Sequence, residues 1–206
     1  MRADEQRNRP GAIGARRAVP TPPSPFKLRL AARALRDGAI IAYPTEAVFG
    51  LGCDPLNRAA VGRLLEIKQR PIHKGLILIA SDPVQLAPFI ETPGDTAQAR
   101  LDASWPGPVT WLLPARPQTP RWLRGGHASI AVRVTAHPVA AALCRAFGGP
   151  IVSTSANLSR RPPARSALQV RLRCPGTDLI VHGACGDADR PTTIRDALSG
   201  AVLRAG

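Results

Sequence analysis

The chain has 206 residues, enough for one domain with a real hydrophobic core, and contains no run of eighteen apolar residues to cross a membrane. A basic N-terminus with no apolar segment behind it argues against export, so a soluble cytoplasmic protein is the expectation. The 28 basic residues outnumber 14 acidic ones, and all but Lys27, Lys68 and Lys74 are arginine, which favours a polyanionic partner or substrate and says nothing of fold.

Residues 1–25, "MRADEQRNRPGAIGARRAVPTPPSP", are rich in Arg, Pro and Gly and hold few large apolar side chains, so they read as a disordered basic leader before a folded domain at 26–206. The leader has five arginines against two acids, which leaves 23 basic and 12 acidic residues in the folded part. There, Ser24 and Pro25 predict a helix start, Leu28, Ala31, Ala32 and Leu35 its apolar face, and Gly38 its end. "AIIAY" (39–43) reads as a short buried strand. Asn57 caps a second helix striped by Val61, Leu64, Leu65 and Lys68, and "GLILIA" (75–80) is the next strand. Asp82-Pro83 predicts a helix start, and 108–115 and 129–135 read as strands. A helix over 138–149, a strand over 150–156, a helix from Ser166 and strands at 178–183, 192–196 and 201–206 complete the pattern. Helices alternating with strands predict an α/β fold, and the consecutive strands between Pro108 and Thr135 predict a mixed sheet.

Four polar clusters sit at predicted element ends, where α/β proteins assemble sites. "STSANLS" (153–159) offers hydroxyls and a carboxamide that can hydrogen-bond phosphate oxygens, although Ser, Thr and Asn also favour turns for local reasons. "YPTEAVFGLG" (43–52) contains no phosphate loop of the known glycine-rich types, so Gly50 and Gly52 predict a tight turn or a close approach of the backbone to a ligand. Glu46 in that stretch could orient a cation or cap an amide. Arg133 lies inside an apolar strand and needs an anionic partner, either a buried acid or a bound carboxylate or phosphate. Lys68 and Arg70 in "KQRP" suit both a helix ending before Pro71 and a phosphate clamp. Cys53, Cys144, Cys174 and Cys185 fit no zinc spacing and read as buried structural residues; the scattered His73, His127, His137 and His182 suggest no permanent metal site. Trp105 and Trp111 read as packing residues.

Taken in order, "IAYPTEAVFGLGCDP", "LLEIKQRP", "SWPGPVTWLLPA", "AVRVTAHP", "VSTSANLS" and the terminal "LRAG" resemble the YrdC/TsaC family over about residues 26–206. The family's K-x-R…S-x-N signature corresponds to Lys68, Arg70, Ser155 and Asn157. The resemblance implies a single-domain, twisted mixed α/β sheet with flanking helices and a positively charged concave cavity. It implies a nucleotidyltransferase that forms L-threonylcarbamoyladenylate and pyrophosphate from L-threonine, bicarbonate and ATP. That product serves the threonylcarbamoyladenosine modification of tRNA, completed by downstream transfer proteins.

The implied catalytic pair is Lys68 and Arg70, with Arg70 gripping phosphate oxygens as a fork and Lys68 acting as a mobile point charge. Ser153, Ser155 and Asn157 would give the triphosphate neutral donors; Thr45, Thr110 and Arg133 would surround amino acid and nucleotide, with Arg133 for the threonine carboxylate; Arg204 would close on the nucleotide. Mg²⁺ is expected to travel with ATP rather than occupy a protein site. Ala47 departs from the P-T-E-T that many relatives carry, which bears on the threonine pocket. A monomer is expected, and contact with tRNA or double-stranded RNA is an open partner expectation. The competing reading is a non-catalytic RNA-binding module acting on rRNA or tRNA precursors, which explains the charge but not the uncharged Ser153, Ser155 and Asn157 beside the cations.

Overall fold

In the computed structural model, which describes residues 20–159, 161–188 and 192–205, Ser24 starts the first helix, α1 (Pro25–Arg36), as its sequence predicts. Its hydroxyl accepts from the Lys27 N–H, Pro25 takes the first turn, and Ala31, Ala32 and Leu35 are buried. Most of the segment read as a leader lies outside the described residues. The Asn57 side chain likewise accepts from the Ala60 N–H at 3.0 Å and starts α2 (Arg58–Lys68). The other helices are α3 (Asp95–Asp102), α4 (Arg121–Arg124), α5 (Pro138–Phe147) and α6 (Ala167–Arg173), with 3₁₀ turns at Ile72–Lys74 and Pro83–Leu86.

The strands are β1 (Ile41–Pro44), β2 (Phe49–Gly52), β3 (Ile77–Ala80), β4 (Val109–Pro114), β5 (Ser129–Val134), β6 (Ile151–Ser155), β7 (Leu179–Ile180), β8 (Thr193–Asp196) and β9 (Val202–Arg204). They form one nine-stranded sheet in the order β7-β1-β2-β6-β3-β5-β4-β8-β9. The pairs β1–β7, β3–β5 and β4–β8 are parallel and the rest antiparallel, so the mixed sheet expected from the sequence is borne out.

Strand alternation divides the core between the two faces of the sheet. Ala42, Leu78, Val132 and Val152 pack with α2, α3 and α4, whereas Ile41, Tyr43, Ile79 and Ile151 pack with α1 and α5. No helix among the described residues is long and apolar enough to cross a membrane.

Three local expectations change. Gly50 and Gly52 do not turn the chain: they lie within β2, paired antiparallel with β1. What crowds Gly52 is the protein itself and not a ligand: a Cβ there would sit 2.3 Å from the Val152 carbonyl oxygen and 2.9 Å from the Tyr43 ring. The Asp82-Pro83 start produces only a 3₁₀ turn, with Asp82 capping Val84, while the true helix of that region, α3, begins at Asp95. The strand predicted from Gly75 begins at Ile77, since Gly75 takes φ +61° to leave the 3₁₀ turn.

Trp111 is buried, with its indole N–H on the Ser104 hydroxyl, and Trp105 donates to the Val109 carbonyl, which fits their packing role. Cys53, Cys144 and Cys174 are buried free thiols, and Cys185 is a half-buried one.

Candidate active site

Helix α2 ends in a way that aims its last residues. The Arg70 N–H bonds the Leu65 carbonyl and the Gln69 N–H bonds the Glu66 carbonyl, the paired bonds of a Schellman ending. Gln69 holds the left-handed position at φ 47°, where glycine is usual and where another residue costs about 1–2 kcal/mol. The Ser159 hydroxyl donates to the Lys68 and Gln69 carbonyls, so the loop after β6 caps this helix end across the fold.

Lys68 is therefore no mobile point charge. Its side chain is buried, and Nζ donates to the Ser155 carbonyl, the Asn157 carbonyl at 2.8 Å and Asn157 Oδ1 at 2.6 Å, with Ser155 Oγ at 3.4 Å. The Ser155 hydroxyl donates to the same Oδ1 at 2.7 Å. Burial, and then the neighbouring Arg70 cation, lower the Lys68 ammonium to about 8, with Cys174 acting in the opposite direction. The lysine of K-x-R and the serine and asparagine of S-x-N are thus one hydrogen-bonded unit.

Arg70 bends back through Nε and Nη2 onto the Gly75 carbonyl, at 3.2 and 2.9 Å. Gly75 and Gly125 make that turn possible by locking together: the Leu76 N–H bonds the Leu123 carbonyl, and a Cβ on Gly125 would lie 2.3 Å from the His73 carbonyl oxygen. Arg204, at the end of β9, donates to the Thr192 carbonyl at 2.9 Å. Burial lowers the Arg70 and Arg204 guanidinium values, Arg204 lowers Arg70 further, and Arg133 lowers Arg204 further. Cations crowded in this way favour a bound anion.

Of the anionic partners open to Arg133 from the sequence, the structure supplies an acid, Glu46. Nη2 lies 3.2 Å from Glu46 Oε2, and the Thr135 hydroxyl donates to Glu46 Oε1 at 2.6 Å. Burial pushes the Glu46 carboxyl up, but the Arg133 cation and the Thr135 bond outweigh it, and the net value falls below the usual carboxylate range. One donor, Arg133 Nε, is buried without a partner. The remaining hydroxyls are engaged locally: Thr45 Oγ1 donates to the Val48 carbonyl at 2.7 Å, closing the β1–β2 turn, and fully buried Thr110 lies 3.3 Å from the Thr192 hydroxyl.

A single cavity of about 640 Å³ gathers these parts. Thr45, Lys68, Arg70, Thr110, Arg133, Ser153, Ser155, Asn157 and Arg204 all line it, although they come from six separate segments of the chain. Lys74, Arg124, His127, Ser129, Thr154 and Thr192 line it as well and were missed. Lys74 and Arg124 stand next to the two interlocked glycines, and "RWLRGGH" was the only local hint. The cations Lys68, Arg70, Lys74, Arg124, Arg133 and Arg204 face the cavity with no Asp or Glu among its described lining residues. Such a donor set suits phosphates and carboxylates and does not suit a protein-held divalent metal, which needs oxygen anions. Among the described residues, no group of three or more His, Cys, Asp or Glu could hold a metal ion.

The Sua5/YciO/YrdC family model, described as telomere recombination, matches residues 33–206. The chain is 58% identical over 183 residues to the threonylcarbamoyl-AMP synthase of Halorhodospira halophila, covering 87% of this chain and 95% of that protein. It is 59% identical over 194 residues to the same enzyme of Alkalilimnicola ehrlichii, covering 91% of this chain and all of the relative. Among solved structures it resembles P. abyssi Sua5 complexed with L-threonine, with 34% identity and a TM-score of 0.78 over 83% of this chain. It spans about half of that longer protein, 51% of its length. A fold matched this closely, over nearly the full length of such relatives, makes the assignment plain: the chain belongs to the Sua5/YciO/YrdC family.

Proposed function

We propose that this protein is a threonylcarbamoyl-AMP synthase, making L-threonylcarbamoyladenylate and pyrophosphate from L-threonine, bicarbonate and ATP for tRNA modification. The observation that carries the reading is the union of Lys68, Ser155 and Asn157 in one hydrogen-bonded unit, facing a cavity whose described lining is free of acids. The relatives named threonylcarbamoyl-AMP synthase, matched over 95% and 100% of their lengths, support it.

The reaction joins anions, so binding and charge neutralisation carry most of the catalysis. The threonine amine adds to the bicarbonate-derived carbon and water leaves, giving a carbamate. A carbamate oxygen then attacks the α-phosphorus, and the bond to the bridging oxygen breaks, its electron pair departing with pyrophosphate. Arg70 and the Lys68 unit, with Ser153, Ser155 and Asn157, hold the triphosphate and take up charge as pyrophosphate leaves. Arg133, which lines the cavity, receives the threonine carboxylate. Thr45 and Thr110 shape the pocket around amino acid and nucleotide, and Arg204 closes on the nucleotide. Mg²⁺ enters as the counter-ion of ATP, held by phosphate and water oxygens. The protein works as a monomer in the cytoplasm and hands its product to downstream transfer proteins that act on tRNA. The non-catalytic RNA-binding alternative has no supporting observation, since it leaves the neutral donors around Lys68 without a purpose.

The test is pyrophosphate release by the purified full chain. Release only when ATP, threonine and bicarbonate are all present supports the reading. Release that ignores threonine, or none with all three, overturns it.

A further inference from the structure

Glu46 does not line the cavity, yet it is the acid that meets Arg133 there. We propose that Glu46 is a positioning residue for threonine capture: its ion pair with Arg133 Nη2 at 3.2 Å holds the guanidinium so that the part of Arg133 lining the cavity meets the amino-acid carboxylate. The inference rests on the assignment of Arg133 to that carboxylate.

The two side chains are 5% and 13% exposed, so their attraction is little screened. Glu46 is itself fixed from three directions. The Thr135 hydroxyl binds Oε1, and that hydroxyl in turn accepts from the His137 N–H at 3.1 Å. The Ala188 N–H bonds the Glu46 carbonyl at 3.1 Å and the Gly186 N–H bonds the Thr45 carbonyl at 3.0 Å. Gly186 can approach only because it is glycine: a Cβ there would stand 2.7 Å from the Glu46 carbonyl oxygen. A strap of chain, a strand end and a helix start therefore agree on one place for this carboxylate. An arginine has several rotatable bonds, and a single held orientation removes the entropy that substrate would otherwise have to supply.

Simple charge arithmetic predicts the opposite behaviour. Removing the Glu46 charge makes the cavity more positive, so ATP and threonine should both bind more tightly. The experiment is calorimetric titration of full-length wild type and Glu46→Gln with ATP alone, and with threonine in the presence of a non-hydrolysable ATP analogue. The expected result is a threonine Kd raised at least tenfold with the ATP Kd changed less than twofold. Glu46→Gln added to Arg133→Gln should cost threonine binding nothing further. Should Glu46→Gln fold poorly, Thr135→Val removes the hydroxyl on Oε1, and with it the acceptor of the His137 N–H, and should weaken threonine severalfold, again sparing ATP. Unchanged or tighter threonine binding, equal weakening of both ligands, or full additivity with Arg133→Gln overturns the proposal. Wild-type protein that binds ATP but no threonine instead overturns the functional reading beneath it.

Discussion

Replacing Lys68 with methionine keeps the length of the side chain and removes the ammonium that joins α2 to the loop after β6. The wild-type bonds to the Ser155 carbonyl, the Asn157 carbonyl and Asn157 Oδ1 are each worth about 1.5–3 kcal/mol as bonds to a charged donor. Removing the donor leaves those acceptors unpaired, at about 1–3 kcal/mol each, while the ammonium value lowered to about 8 shows that burial takes back part of what the bonds return. Lys68→Met should therefore unfold at lower urea with an unchanged m-value. Pyrophosphate release should fall by at least about a hundredfold, since the charge and the geometry of Ser155 and Asn157 go together. Equilibrium urea unfolding and a coupled pyrophosphate assay read the two effects. An unchanged urea midpoint with a lost rate would make Lys68 a free charge and refute the cage. An unchanged rate would remove Lys68 from the site.

Three further outcomes are expected. Because the folded value of Lys68 lies below the unfolded one, the unfolded chain holds more protons between about pH 8 and 10.5, and this group's share of stability rises with pH in that window. ATP affinity should move the other way: calorimetry above pH 8 should show weakening toward tenfold per pH unit in wild type and a flat profile in Lys68→Met. A flat wild-type profile contradicts the assignment. Gly52→Ala pushes a methyl against the Val152 carbonyl and the Tyr43 ring, and should cost about 1–3 kcal/mol or more in thermal unfolding; an unaltered Tm would show that β2 can shift freely.

The parts of this fold that announce themselves are those governed by neighbouring residues. Ser24-Pro25, Asn57 and Ser166 mark helix starts because a cap is a contact over three residues. β2 escaped notice since "FGLG" has half its positions without side chains, and its glycines answer to the ring of Tyr43 on another strand. α3 escaped because it begins at Gly94 with no side-chain cap and buries only Ala97 and Leu101. The site divides along the same line. The motif residues were legible as motifs, and Arg133 as an arginine in need of an anionic partner. That Glu46 is the acid, or that Lys68 spends its donors on Ser155 and Asn157, depends on pairs 87 to 89 residues apart, which periodicity and spacing do not encode. Lys74 and Arg124 reach the cavity by the interlocking of Gly75 and Gly125, another tertiary contact.

The most direct test of the account is mass spectrometry of the product formed from ATP, threonine and isotopically labelled bicarbonate by the full-length protein. The account predicts an adenylate that carries threonine and the bicarbonate carbon together, formed in step with pyrophosphate and lost in Arg70→Ala. Pyrophosphate with AMP but no such adduct, or an adduct lacking the label, would contradict it.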